Sequence, residues 1–456
     1  MNTENPLPNK ARSWAKNSVM LKLATITVLM LLLLIPSSMI DSIIRERESL
    51  SNQTIHEVSS KWADSQLLNG PILTIPLRYE VEYEVERGKD KKKEIAKKTV
   101  TKYWYILPEH LKIDGKIVPE TLRRGIYEVV VYKSDLTISG DFILNHHLDK
   151  TNLKEIRYDQ AFLTMGVSDL RGIKNQIDFK WDSQNLEVEP GSRISNMIYS
   201  GITVELPPIE AQNQPLAFEF TLKLQGSRNL SFVPLGSTTD IQLISGWNAP
   251  SFNGNFLPDY RKVTADGFEA RWNILKLNRN LPESWISKNQ IEKMEASKFG
   301  VDLILPLDDY QKSMRSSKYG VMTIALTFLI FFLVEILHKR KIHPFQYILV
   351  GLALCLFYIL LVSITEHSNF NVAYGISTFG IVTMITLYAL SIFQAHKLVM
   401  VLVSTLIGIY GFLFVTLQLV DYALLMGSLG LTLILGATMY FTRNINWYNL
   451  NSDEES

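Results

Sequence analysis

The sequence predicts an α+β membrane protein with one N-terminal transmembrane helix, a large all-β, sandwich-like domain outside the membrane and a C-terminal bundle of five transmembrane helices. Of the 456 residues, 47% are hydrophobic and 20% charged, yet only seven charged residues occur between Gly320 and Phe441. Six apolar runs approach the length of about 20 residues that a helix needs to cross a bilayer. Between Asp41 and Lys318, apolar and polar residues instead alternate, which is typical of β-strands.

The apolar runs set the boundaries of the predicted segments. A tail of residues 1–22 precedes the first span, 23–40; the other spans are 319–337, 347–365, 374–393, 398–420 and 424–441, and a tail of residues 442–456 follows. The spacers between the last five spans are short and leave no room for non-helical backbone in lipid, where unpaired N–H and C=O groups are costly. The spans should therefore form a compact bundle of helical hairpins. Leu23–Ile35 would also fit a cleaved signal peptide, but apolar residues continue to Ile40 without a small-residue cleavage site, which favours a retained anchor.

The distribution of Lys and Arg predicts the orientation. Every second short segment is basic, and the residues concerned are Lys10, Arg12, Lys16, Lys339, Arg340, Lys341, Lys397 and Arg443. The intervening spacers 366–373 and 421–423 contain neither Lys nor Arg. The positive-inside rule therefore predicts that both tails are cytoplasmic and that the domain 41–318 lies outside.

The domain 41–318 should begin with a helix from Asp41 to about Leu68 and continue as strands after Asn69-Gly70-Pro71. Apolar and polar residues alternate with period two over residues 72–85, and Lys98–Ile106 is the predicted return strand. Gly88–Glu94 is then a lysine-rich hairpin tip. We interpret this tip as solvated rather than as a contact with anionic headgroups. Further strands are predicted at Gly125–Tyr132, Leu136–Phe142, Gln176–Lys180, Ile202–Leu206, Phe218–Leu224, Asp240–Ser245, Phe268–Leu275 and Val301–Leu305. Such a series predicts one β-sandwich or a pair of them.

Charge, cysteine content and motifs argue against several functions. The 46 basic and 45 acidic residues balance, which leaves no basic field for nucleic acid, and the single cysteine lies in an apolar run. Phosphate-binding, serine-hydrolase and zinc-protease motifs do not occur in the sequence. Ser13-Trp-Ala-Lys16 is interpreted as a chance S-x-x-K match, and His146-His147 near Asp149 as loop residues, because adjacent strand residues point to opposite faces. We therefore predict no catalytic residue, no cofactor and no metal.

Charged residues inside spans would indicate a transport pathway. Glu335 lies near the cytoplasmic end of its predicted span, Lys22 directly precedes the first span, and Asp421 lies in a turn. None of these charges is placed at mid-bilayer, which argues against an ion pathway. Transport is therefore the alternative hypothesis and not the leading one.

Several motifs resemble the CreD family of inner-membrane proteins. They are Trp62-x-x-x-Gln66, Gly70-Pro-Ile-Leu-Thr-Ile-Pro76, Leu107-Pro-Glu-His-Leu-Lys-Ile113, Arg124-Gly-Ile-Tyr-Glu128, Gly236, Ser245-Gly-Trp247, Pro250-Ser-Phe-Asn-Gly-Asn-Phe-Leu-Pro258 and a bundle beginning near Lys318-Tyr-Gly320. The resemblance covers nearly the whole chain. It implies a Gram-negative inner-membrane protein with a periplasmic domain, linked to cell-envelope integrity, a stress-responsive two-component regulon and colicin tolerance, without assigned catalytic residues.

The segment Trp247–Pro258 is aromatic and rich in turn residues, so it is the predicted recognition loop. Its candidate residues are Trp247, Pro250, Phe252, Phe256 and Pro258, and packing of the aromatic rings in the core is the competing interpretation. The leading hypothesis is a non-enzymatic protein, embedded in the lipid bilayer, whose β-domain binds or senses an envelope component or a periplasmic or membrane protein partner. The alternatives are a transporter or channel for a lipid or envelope precursor, and a hydrolase whose site assembles from distant residues.

Overall fold

The computed structural model of the protein describes residues 19–87, 92–144, 148–210, 214–305, 309–338, 342–393, 395–419 and 422–443. The chain divides into two units. The β unit is Asn52–Pro306, and the helical unit combines the residues up to Ser51 with those from Leu307 onward. The histidine pair 146–147 and most of the predicted hairpin tip, residues 88–91, lie outside the described residues.

Eight α-helices occur in the described ranges. Their bounds are α1 Val19–Trp62, α2 Ile291–Ala296, α3 Asp309–Lys318, α4 Gly320–Leu337, α5 Pro344–Thr365, α6 Phe370–Phe393, α7 His396–Gln418 and α8 Ala423–Thr442. Four helices, α1, α5, α6 and α7, are long and apolar enough to cross a membrane. A fifth crossing results if α3 and α4, which are bent by 43° relative to each other, act as one span. In α8, a shorter apolar stretch runs from Leu425 to Tyr440.

The helical unit is apolar inside and outside. Its buried core includes Leu33, Phe328, Leu354 and Phe357, and Gly351 of α5 lets the side chain of Leu33 approach the α5 backbone closely. Large apolar side chains such as those of α6 and α7 also lie on the surface. A helix that is hydrophobic all round is suited to lipid rather than to water.

Helix α1 corrects one expectation from the sequence. It is continuous for 44 residues, so the first apolar run and the following amphipathic segment form one helix. The helix ends at Trp62 rather than near Leu68, because Gln66–Leu68 already pair in parallel with Leu230–Phe232 as the start of a strand. The expected turn at Gly70-Pro71 is likewise part of that strand.

The β unit contains 18 strands in its described residues. Their bounds are β1 Gln66–Arg87, β2 Lys92–Ile106, β3 His110–Arg124, β4 Tyr127–Phe142, β5 Leu153–Ile156, β6 Phe162–Val167, β7 Phe179–Trp181, β8 Gln184–Leu186, β9 Val188–Pro190, β10 Gly201–Glu205, β11 Leu216–Ser227, β12 Asn229–Phe232, β13 Thr238–Ser245, β14 Pro250–Gly254, β15 Tyr260–Thr264, β16 Gly267–Leu275, β17 Ser284–Ile286 and β18 Phe299–Leu303.

The strands form two mixed sheets. The ten-stranded sheet has the order β14-β18-β12-β1-β6-β10-β9, with β2 and β5 also paired to β1 and β17 paired to β2. The eight-stranded sheet has the order β15-β16-β13-β3-β4-β11-β7-β8. One hydrophobic core contains residues of both sheets, which is the arrangement of a β-sandwich.

The ten-stranded sheet is buried on both faces along β6, where all six residues are buried. Segments outside the strands also contribute to this core: Ile194, Met197 and Ile198 lie in an irregular stretch, and Met294 lies in α2. The sequences of strands that are buried on both faces are continuous apolar runs and do not alternate between apolar and polar residues. This explains why the sequence pattern did not indicate β6.

One further strand prediction was wrong, and one long strand was missed. The two strands expected at Gly125–Tyr132 and Leu136–Phe142 are one strand, β4, and β3 was not predicted at all. Gly115 in β3 resembles a turn residue, but a Cβ there would lie 2.7 Å from side-chain carbons of Leu136 and Leu243. The glycine therefore serves close packing between strands, while Gly125, with φ of +61°, lies in the turn before β4 rather than in a strand.

Candidate functional site

The predicted recognition loop, Trp247–Pro258, is a crossover segment between the two sheets. The chain leaves β13 in the eight-stranded sheet, forms β14 at the edge of the ten-stranded sheet and returns to the eight-stranded sheet as β15. Residues Pro250–Gly254 pair antiparallel with Phe299–Leu303. The expectation of a loop is therefore wrong for the central residues, since Pro, Asn and Gly here belong to an edge strand.

The aromatic rings of the crossover segment pack against the core. The Trp247 indole Nε1 donates a hydrogen bond to the Ile304 carbonyl at 2.9 Å. The Phe252 ring makes edge-to-face contacts with Phe268 and Trp272, with centroids 5.7 and 5.8 Å apart. Phe256 contacts Phe299 in the same way at 5.8 Å. These rings close one side of the sandwich, which supports the packing interpretation of the aromatic side chains.

Two parts of the crossover segment stay accessible. Leu257 is 63% exposed, whereas Pro250 and Pro258 are half-buried. Among the described strands, β14 pairs with β18 alone, so its other edge is open. A partner would therefore reach the strand edge and Leu257 rather than the faces of the rings.

The family-like motif Trp62-x-x-x-Gln66 has a structural role. The buried Gln66 side chain donates from Nε2 to the carbonyls of Asp169 and Gln225 at 3.0 and 2.9 Å, and its Oε1 accepts from the Asp169 N–H at 3.2 Å. Ser227 Oγ donates to the Ala63 carbonyl at 2.6 Å. These bonds hold the residues that follow α1 against Asp169 and the end of β11, because they satisfy backbone groups that the helix end and the strands leave free.

Asp169 continues this attachment through an ion pair. Its carboxylate lies 2.6 Å from Arg171 Nη2 and accepts the Asp64 N–H at 3.0 Å. Hydrogen bonding to Arg171 is the main cause that lowers the pKa of Asp169 to about 2, and the backbone N–H donors act in the same direction.

A second candidate site lies in the helical unit, where Glu335 of α4 is only 3% exposed. Its Oε1 accepts from Lys22 Nζ of α1 at 2.9 Å, and its Oε2 accepts from the Tyr347 hydroxyl of α5 at 2.9 Å. The Ile342 N–H also donates to Oε1, at 3.3 Å. Three donors around one carboxylate compensate the burial of its charge.

A cavity of about 370 Å³ adjoins this ion pair. Its lining residues come from α1, the end of α4 and the start of α5, and they are Leu21, Lys22, Thr25, Ile26, Leu29, Glu335, Ile342, His343, Pro344 and Tyr347. We call this cavity the ion-pair pocket. The pairing of Lys22 with Glu335 was not predicted from the sequence, where the two residues are 313 positions apart. The signal that was available is that both were predicted near the same membrane surface with opposite charge.

Hydroxyl groups form a further buried cluster between the helices. The side chains of Tyr358, Tyr374, Tyr410 and Ser377 are buried, and the Tyr374 hydroxyl donates to the Tyr410 carbonyl at 2.7 Å. The hydroxyl oxygens of Tyr358, Tyr410 and Ser377 have no hydrogen-bond partner among the described residues. Such groups are usually satisfied by water or a bound molecule when they lie away from solvent.

Metal ligands do not converge in the described ranges, where no group of three or more His, Cys, Asp or Glu could hold an ion. His146 and His147 are not in those ranges. Cys355 is a free thiol, buried in α5.

Comparison with known proteins gives a consistent result over nearly the whole chain. The family model described as "Inner membrane protein CreD" matches residues 18–448. The inner membrane protein CreD of Escherichia coli (strain K12) is 34% identical over 433 residues, which cover 95% of this chain and 94% of that protein.

Proposed function

Because this chain belongs to the CreD family of inner membrane proteins, we propose that it is a non-enzymatic protein that supports envelope integrity by recognising a partner through its β unit. In this proposal the chain crosses the inner membrane six times, both termini are cytoplasmic and residues 41–318 are periplasmic. The alternation of basic and non-basic spacers supports this orientation.

The observation that carries the proposal is the open edge of β14. The strand Pro250-Ser-Phe-Asn-Gly254 contains no charged residue, and exposed Leu257 follows it. The corresponding edge strand of the other sheet, β15, carries Arg261 and Lys262. Since charged residues protect edges from pairing, β14 is the edge better suited to add an extended segment of a periplasmic or membrane protein partner.

Site-specific photo-crosslinking in native membranes tests this proposal. A photo-reactive residue at Leu257, which is 63% exposed, should give a specific polypeptide adduct, whereas the same residue at Leu277, which is 89% exposed, serves as the matched control. Adding Ser251→Lys should abolish the adduct, because a charge on the edge opposes strand addition. Equal adducts at both positions, or an adduct that survives Ser251→Lys, would contradict edge recognition.

Transport of a lipid or envelope precursor is the second candidate function. The observation that favours it is the buried hydroxyl cluster of Tyr358, Tyr410 and Ser377, whose hydroxyls have no partner in the described part of the helical unit. A hydrated path through these groups would satisfy them. The carrier would then use α4 to α7, and the β unit would supply or receive the cargo.

The chain offers a direct test of a hydrated path, since Cys355 is its single cysteine and lies one turn before Tyr358 in α5. A small, water-soluble methanethiosulfonate reagent should modify Cys355 in native membranes if water reaches the cluster. Leu277→Cys, in an exposed position, is the positive control for reagent access to the β unit. Modification at position 277 alone would argue that the helices only anchor the β unit.

A further inference from the structure

We propose that the ion-pair pocket binds the phosphate of an anionic phospholipid, with Lys22 as the phosphate ligand and the apolar wall of α1 as the surface for an acyl chain. Recognition by the β unit does not require this site. The lipid site instead concerns how the helical unit is held in the bilayer.

Glu335 determines what the pocket can bind. Lys22, Tyr347 and the Ile342 N–H already donate to its two carboxylate oxygens. The carboxylate is therefore satisfied within the protein, and it positions the Lys22 ammonium at the pocket. The Lys22 side chain is 32% exposed, and an ammonium carries three N–H donors, so donors directed to a ligand remain available.

The surrounding charge favours an anion. Three basic residues, Lys339, Arg340 and Lys341, directly precede the pocket residue Ile342 in the sequence. Because Lys22 neutralises Glu335, the segment of sequence next to Ile342 has a net positive charge. Basic pockets between transmembrane helices on the cytoplasmic side suit anionic headgroups, while the ammonium group of a zwitterionic headgroup would be placed near like charges.

The position of the pocket matches the depth of a lipid phosphate. Its residues lie near the start of α1, at the end of α4, which ends at Leu337, and at the start of α5, which begins at Pro344. The ends of apolar helices lie at headgroup depth. Ile26 and Leu29, one and two turns further along α1, continue the pocket wall toward the hydrocarbon and provide an apolar surface for a chain.

The test uses the purified full-length protein in nanodiscs of phosphatidylcholine, with phosphatidylglycerol or phosphatidylethanolamine as the second lipid. Native mass spectrometry after extraction measures the retained lipid. Wild type should retain phosphatidylglycerol in preference to the other two. Lys22→Gln, which keeps a donor for Glu335, should weaken this retention about five-fold, the effect of losing one basic contact. Lys397→Gln removes the same charge at an exposed position in α7 and should retain the lipid as wild type does.

A second variant leaves the charges in place. Thr25→Phe fills the pocket between Lys22 and Leu29 and should reduce phosphatidylglycerol retention even if Lys22→Gln fails to fold. The proposal is overturned if wild type retains the three lipids equally. It is also overturned if Lys22→Gln and Lys397→Gln lose the same amount of lipid, or if Thr25→Phe retains as much phosphatidylglycerol as wild type.

Discussion

Replacing Phe252 with alanine should destabilise the β unit, because its ring packs between the two sheets. Loss of a fully buried Phe side chain costs about 3–5 kcal/mol, of which each aromatic pair contributes roughly 0.5–1.5 kcal/mol. Phe252 makes two such pairs, with Phe268 and Trp272, but it is only half-buried. We therefore expect a loss of about 2–3 kcal/mol in the free energy of unfolding.

Thermal unfolding of the full chain in detergent, followed by tryptophan fluorescence, measures this effect, since six of the eight tryptophans lie between residues 52 and 306. A loss of this size lowers the Tm of a unit this large by roughly 4–10 °C. Leu257→Ala, at an exposed position in the same segment, should change stability by less than about 0.5 kcal/mol. If Phe252→Ala unfolded at the wild-type Tm, the packing argument would be refuted and a role of the Phe252 ring in recognition would be favoured.

Three other changes test the β unit by the same fluorescence assay. Gly254→Ala should cost roughly 2–4 kcal/mol, because φ is +89° and a Cβ would meet the Lys298 carbonyl; an unchanged midpoint would disprove this constraint. Asp169→Asn should cost about 1 kcal/mol at neutral pH, a value reduced because Arg171 is 62% exposed. The pKa of the Asp169 carboxyl is lowered from 3.8 to about 2. The ionised carboxylate therefore stabilises the folded state above the unfolded-state pKa, and this contribution is lost as the pH falls through about 2. The free energies of unfolding of wild type and variant should therefore converge between about pH 4 and pH 2. Arg279→Met should cost about 3–5 kcal/mol, because the buried guanidinium donates to three backbone carbonyls and a carboxylate; a variant as stable as wild type would show that these groups find other partners.

Features that depend on neighbouring residues were readable from the sequence. The apolar runs mark helices, as in α5, where Pro344 occupies the first turn after the His343 cap. Alternation in β1 and its return in β2 predicted a hairpin, and Tyr79 pairs with Val100 within it. The motifs that resemble the CreD family were confirmed by the match over residues 18–448.

Features that depend on residues far apart were not readable. Proline, asparagine and glycine mark turns and also tolerate strand edges, so the sequence could not separate a loop at Pro250–Gly254 from an edge strand. The parallel pairing of β13 with β3 and of β1 with β12 leaves no local signal. Such pairing is decided by which strand fits beside another once both are formed.

The sequence by itself determined the apolar helices, many of the strands and the family to which the chain belongs, because hydrophobic periodicity and turn chemistry act within a few residues. Tertiary structure decided the sites. Lys22 and Glu335, which are separated by 313 positions, form an ion pair at 2.9 Å. The aromatic rings of the Trp247–Pro258 segment pack against the core of the sandwich. A charge or an aromatic ring acquires its role from the groups that surround it in space, and the packing of distant segments alone brings those groups together.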